Sequence, residues 1–143
     1  MAIENNNKCF VCGENNPYGF KVKPEVRDSG AEVFIECTPP NHMQGWAGIL
    51  HGGIISTLLD EVITHIGIES FSGPAVTAQL EVRFRNPAPT GVKLLVTAER
   101  IKMSRRLIEA TAVVKLTDNT VIATGIGKVM PVSDSFAPIH NTL

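Results

Sequence analysis

His51-Gly52-Gly53-Ile54-Ile55-Ser56-Thr57-Leu58-Leu59-Asp60-Glu61-Val62-Ile63-Thr64-His65-Ile66-Gly67-Ile68 decides the architecture of this chain. Ile54, Leu58, Val62 and Ile66 recur every fourth residue, and Ile55, Leu59 and Ile63 make the neighbouring row. That spacing predicts an α-helix over residues 52–68, apolar over roughly half its circumference at 100° per residue. Ser56, Asp60, Thr64 and Gly67 fall on the opposite side, and Gly73-Pro74 stops the helix.

Strand-like sequence surrounds this helix on both sides. Before it, residues 20–26 and 32–38 read as short strands joined across Asp28-Ser29-Gly30, a hairpin turn. Residues 39–50 read as a long loop holding Gln44 and the only Trp, and a loop of that length without structure of its own suggests the wall of a binding site. After it, Val76, Ala78, Leu80, Val82 and Phe84 alternate with Thr77, Gln79, Glu81, Arg83 and Arg85, a half-buried strand broken by the proline-rich run from Asn86. Three more β-rich runs follow at residues 93–102, 107–117 and 120–130. One long helix against five or six antiparallel strands is an α+β design, and a helix so apolar is best buried by a curved antiparallel sheet wrapped around it.

No repeat, linker or shift in composition divides the chain, so residues 1–143 read as a single domain, with an irregular arm at 1–19 and a loose tail at 131–143. Thirteen basic residues balance fourteen acidic ones, which gives no reason to expect nucleic acid or an anionic membrane as partner. No apolar run approaches the roughly 18–20 residues of a membrane span, and the polar, Asn-rich first residues lack a secretory pattern. The expected location is cytoplasmic. With 43% hydrophobic and 19% charged residues, the composition suggests that a second subunit covers part of the surface.

Chemistry concentrates on the central helix. A Gly-Gly pair at a helix start presents bare N–H groups and the positive end of the helix dipole, a seat for an oxyanion. Asp60, in the middle of an apolar helix, is costly there unless paired, protonated or used. Nine residues of helix rise about 13.5 Å, so the donors at Gly52 and Gly53 and the carboxylate of Asp60 cannot reach one carbonyl from a single chain. Either one of them is idle, or the site joins the helix start of one subunit to the acid of another.

The arm Cys9-Phe10-Val11-Cys12-Gly13 with Asn16-Pro17-Tyr18-Gly19-Phe20, the loop Gln44-Gly45-Trp46-Ala47-Gly48-Ile49-Leu50, the His51–Glu61 segment and the strand ending Arg83-Phe84-Arg85-Asn86-Pro87 are similar to the hotdog-fold acyl-CoA thioesterases. Within that superfamily the chain most resembles the PaaI-type branch, the phenylacetate-pathway thioesterase and its relatives. The resemblance implies a hotdog fold and hydrolysis of an acyl-CoA thioester by a homodimer or homotetramer with interfacial sites. It implies that a backbone N–H of Gly52 or Gly53, after His51, polarises the thioester carbonyl. Asp60 of the neighbouring subunit then serves as general base or nucleophile. Thr77, early in the next strand, helps place the water. Some relatives carry an Asn six residues before the His; here that position is Gly45, and Gln44 beside it is the available substitute. No cofactor is implied beyond the CoA moiety of the substrate.

Other readings compete at each position. Asp60 has a structural alternative, a bond to Ser56 or Thr64 on its own helix. Glu61 is a rival base, but His65 stands four residues on and makes a Glu–His pair the simpler expectation. His51 is expected to position rather than react. Phosphates of CoA need cations at the mouth of the site, and Lys102, Arg105 and Arg106 at one turn, or Arg83 with Arg85, are the candidates. Cys9-x-x-Cys12 invites a metal, yet Cys37 and the scattered histidines supply no second pair, so no metal is expected. Two alternative functions keep the same scaffold: a non-catalytic acyl-CoA-binding protein, and a hydratase or dehydratase acting on enoyl-CoA with a His beside the acid.

Overall fold

A computed structural model describes residues 4–132. Six antiparallel strands form one sheet: β1 (Glu25–Arg27), β2 (Glu32–Cys37), β5 (Ala75–Phe84), β6 (Leu94–Met103), β7 (Ile108–Leu116) and β8 (Val121–Pro131). Their order across the sheet is β1-β2-β6-β7-β8-β5. Helix α1 (Gly52–Phe71) packs against β2, β5, β6, β7 and β8, so the sheet curves around it. This is the hotdog arrangement expected from the sequence. No helix among the described residues is long and apolar enough to cross a membrane.

Leu58, Leu59, Val62, Ile63 and Ile66 of α1 are fully buried. They meet Val33 and Ile35 of β2, Leu94 and Val96 of β6, Ile108 and Val114 of β7, and Ile122 and Val129 of β8, all likewise buried. Each such side chain stabilises the fold by roughly 1.5–3 kcal/mol relative to exposure. The side of the helix opposite the apolar rows is itself partly covered. Gly67 is buried there, and a Cβ on it would lie 2.4 Å from Val129 Cγ1, so a glycine lets the last turns approach β8. Ser56, Asp60 and Thr64 are half-buried, and Glu61 is covered.

Several boundaries differ from the sequence reading. The helix runs to Phe71 rather than residue 68 and stops at Ser72, whose left-handed backbone (φ 54°) caps the end before Gly73-Pro74. Of the strand expected at residues 20–26 only Glu25–Arg27 pairs, because Phe20 and Val22 are bonded instead to Phe10 and Val11 of the arm. Residues 39–50 are not an open loop. They fold into a short 3-10 turn (Asn41–Met43) and a hairpin of β3 (Gln44–Trp46) and β4 (Ile49–Leu50). Of the tail expected at residues 131–143, everything past Val132 lies outside the described residues.

Candidate active site

The start of α1 is held from three directions. Leu50 N–H donates to Ala88 O at 2.8 Å, His51 N–H to Met43 O at 2.9 Å, and Ile49 bridges Pro89. His51 is extended (φ −62°, ψ 134°) and turns its ring back over the helix, where Nδ1 accepts from Gly53 N–H at 2.8 Å. Its imidazole thus does the work of an N-cap side chain. Ile54 N–H and Ile55 N–H both turn to His51 O. Of the two glycine N–H groups named from the sequence, Gly53's is therefore engaged by the cap. Gly52's has no partner among the described residues, at the end of the helix where the dipole is positive. Phe84 lies beside it, 3.4 Å from where a Gly52 Cβ would be.

Two depressions flank this point. One, of about 460 Å³, is lined by Phe10, Tyr18, Gln44, His51, Gly53 and Thr57. The other, of about 300 Å³, is lined by Gly52, Ile55, Phe84, Arg85 and Asn86. Gln44 lines the first, but its Oε1 is taken by Gly48 N–H at 3.0 Å, which leaves only its amide NH2 to offer a ligand. Phe10 and Tyr18, from the arm, were not singled out from the sequence.

Asp60 belongs to a second cluster, further along the helix. Thr77 Oγ1 donates to Asp60 Oδ1 at 2.7 Å, and Thr64 Oγ1 stands 3.0 Å from Thr77 Oγ1. Because Thr77 spends its hydroxyl proton on the carboxylate, Thr64 donates to Thr77. Ser56 takes no part, since its hydroxyl bonds Gly52 O at 3.1 Å. Thr77 reaches the helix because Ala78 is an extra residue in β5: Thr77 pairs Val129 while Gln79 pairs Lys128. The bulge reverses the alternation, turning Ala75 and Thr77 toward α1 on one side of it and Leu80 and Val82 on the other. Unbroken alternation had put Thr77 on the polar side of the strand; in the fold it points at the helix.

Glu61 and His65 pair as expected, Oε1 to Nε2 at 3.0 Å. The cations separate. Arg85 borders the Gly52 depression, whereas Arg83 lies on the outer face with Thr124 and Ile126. Lys102, Arg105 and Arg106 are exposed at the tip of the β6–β7 hairpin. A larger groove of about 870 Å³ runs between the arm and β2, with Lys21 and Lys23 on its wall, and shares Tyr18, His42 and Met43 with the depression at the helix start.

Comparison with known proteins places the chain. A family model described as the thioesterase superfamily matches residues 47–123, from the β3–β4 hairpin to β8. The chain is 34% identical over 74 residues to mouse (Mus musculus) acyl-coenzyme A thioesterase 13, a match covering 51% of each protein. The crystal structure of zebrafish thioesterase superfamily member 2 superposes with a TM-score of 0.71 at 26% identity, over 82% of this chain and 89% of that one. The Escherichia coli PaaI protein of the phenylacetic acid degradation operon superposes with a TM-score of 0.73 at 18% identity, over 80% and 81% of the two chains, a likeness of fold. The aligned part spans from about a third to a half of the length of the curated relatives it matches.

Proposed function

Because this chain belongs to the thioesterase superfamily, we propose that it hydrolyses an acyl-CoA thioester to the free acid and coenzyme A, at a site shared by two copies. Asp60 takes a proton from water as the water oxygen attacks the acyl carbon. The resulting oxyanion is held by the Gly52 N–H of the partner subunit at the positive end of its helix. The C–S bond then breaks, and the CoA thiolate leaves with the proton returned by Asp60. Direct attack by the Asp60 carboxylate is the covalent variant of the same geometry. Thr77 occupies one carboxylate oxygen and leaves the other for the water, and His51 fixes the turn that aims the Gly52 N–H. Gly53 supports that cap, and Gln44 contributes its amide to the substrate carbonyl. No cofactor takes part beyond the CoA of the substrate.

The observation that carries this reading is β5. It is an edge strand, and it touches both halves of the machinery: Thr77 near its start bonds Asp60, and Phe84 at its end packs on Gly52. Pairing two β5 edges antiparallel about a two-fold axis sets the Thr77 end of each beside the Phe84 end of the other. The separation along one helix, which forbids a one-chain site, is closed in that way. The groove that joins the depression at the helix start carries Lys21 and Lys23 but also Glu25 and Glu36, so it offers the phosphates of CoA a path beside the site with balanced charge, whereas Lys102, Arg105 and Arg106 stand exposed at the hairpin tip. The mouse relative's name, an acyl-coenzyme A thioesterase, supports the substrate class.

Thiol release across a panel of acyl-CoA esters, varied in chain length and aromatic content, tests the reading. Turnover of at least one ester, lost in Asp60→Asn, is the expected result. Binding of acyl-CoA without thiol release from any ester would make the protein a carrier, and hydration of an enoyl-CoA without thiol release would make it a hydratase.

A further inference from the structure

The arm contains a cluster that the thioesterase reading does not use. Residues 9–13 form a tight turn in which Gly13 N–H donates to Cys9 O at 2.9 Å. Val11 N–H and Cys12 N–H both point at Cys9 Sγ, at 3.4 and 3.5 Å. Only glycine closes this turn, since a Cβ on Gly13 would lie 2.3 Å from Cys9 N and 2.6 Å from Cys9 O. The turn delivers both sulfurs to the side of α1 where Glu61 is buried, its side chain 10% exposed. Cys9 Sγ, Cys12 Sγ and a carboxylate oxygen of Glu61 all lie within 4.8 Å of one another. His65 Nε2 is 3.0 Å from Glu61 Oε1.

We infer that Cys9, Cys12 and Glu61, with His65 closing the fourth position, form a structural zinc site that fastens the N-terminal arm to α1. At zinc–sulfur distances of about 2.3 Å and zinc–oxygen or –nitrogen distances of about 2.0–2.1 Å, the ligand atoms of a tetrahedral site stand roughly 3.3–3.8 Å apart. The two sulfurs and the Glu61 oxygen need only side-chain rotations to reach that, whereas His65, held at Glu61, has to swing toward the sulfurs to take the fourth position. Two thiolates, one carboxylate and one imidazole form a borderline-soft donor set that suits zinc and not calcium or magnesium. The two N–H groups aimed at Cys9 Sγ stabilise a thiolate, as outer hydrogen bonds do around metal-bound ligands. Zinc supplies the charge that buried acid and sulfurs share, and each thiol gives its proton to solvent on binding. The arm otherwise has few anchors, chiefly buried Val11 and Val22 and the edge-to-face contact of Phe10 with Phe20. Phe10 and Tyr18 wall the depression at the helix start, so the metal holds one side of the binding site in place. The sequence reading sought a second Cys or His pair; the fold supplies a carboxylate and a histidine from one helical turn instead.

The test uses the full chain, expressed with added zinc and purified without chelator under reducing conditions. Metal analysis is expected to find about one zinc per chain. After zinc removal, titration with Co²⁺ alone is expected to give a sulfur-to-cobalt charge-transfer band and intense visible bands of tetrahedral coordination, saturating at one equivalent. Chelator should also speed proteolytic cleavage within the arm while the far-UV spectrum of the sheet and helix stays unchanged. Cys9→Ser with Cys12→Ser should abolish the cobalt spectrum. Substoichiometric zinc with no cobalt bands, or bands without sulfur character, overturns the site.

Discussion

Thr77 donates to Asp60 at 2.7 Å across a gap that only a β-bulge at Ala78 closes. A hydrogen bond to a charged group contributes about 1.5–3 kcal/mol, which sets the scale of what its loss does. Thr77→Val keeps the shape and removes the donor, so kcat/KM is expected to fall roughly 10- to 100-fold. Thr77→Ser retains the donor and should stay near wild type. Asp60→Asn is expected to abolish thiol release while leaving acyl-CoA affinity and the denaturation midpoint largely intact. Turnover surviving in Asp60→Asn would move the chemistry to another residue.

That bulge also marks where the sequence stopped being legible. The hydrophobic rows of α1, the alternation of residues 76–85 and the three β-rich runs after them predicted the sheet-wrapped helix, because a period of 3.6 or 2 reports burial directly. Thr77 is named from the resemblance, by its place early in the strand after the helix, and not by its face, since one inserted residue inverts every side chain beyond it. The arm was read as irregular, and it is, yet Val11 and Val22 are buried and Phe10 and Tyr18 border the site. Those contacts are long-range and leave no periodic trace. The Glu61–His65 pair followed from i, i+4 spacing, whereas the approach of Cys9 and Cys12 to it depends on the path of the arm.

His51 offers a way to separate positioning from chemistry. Its ring caps the helix through Gly53 N–H, and loss of such a cap costs about 0.5–2 kcal/mol. His51→Ala should therefore lower the urea midpoint and activity together. Asn is among the best N-cap residues, so His51→Asn should recover the stability, with kcat/KM within about tenfold of wild type if the ring only positions. Equal losses in both variants would show that the imidazole itself reacts.

Gly67 tests the packing of α1 on the sheet. Gly→Ala inside a helix ordinarily stabilises by about 0.8–1.0 kcal/mol. Here the new methyl would meet Val129 Cγ1 at 2.4 Å, and Val129 is fully buried with no room to give. Overpacking of that kind costs about 1–3 kcal/mol, so Gly67→Ala is expected to lower the urea midpoint with little change in m. An unchanged or raised midpoint would mean that β8 yields at this point.

Mixing two inactive variants tests whether Asp60 and Gly52 work across subunits. Gly52→Pro removes the one unpartnered N–H at the helix start with little other disturbance. Proline suits the first helical position, His51 before it is already extended, and a Cβ there makes only ordinary contact with Phe84 at 3.4 Å. Each of Asp60→Asn and Gly52→Pro should be nearly inactive alone. In a mixed dimer, one site collects both defects and the other receives an intact Asp60 from one chain and an intact Gly52 from the other. An equimolar mixture, exchanged through mild denaturation and refolding, should regain about a quarter of wild-type activity, from random pairing with one good site per mixed dimer. A site confined to one chain gains nothing from mixing, because every chain then carries its own defect. Sedimentation of the same samples checks that dimers formed, so an inactive mixture of dimers would refute the shared site rather than reflect failed assembly.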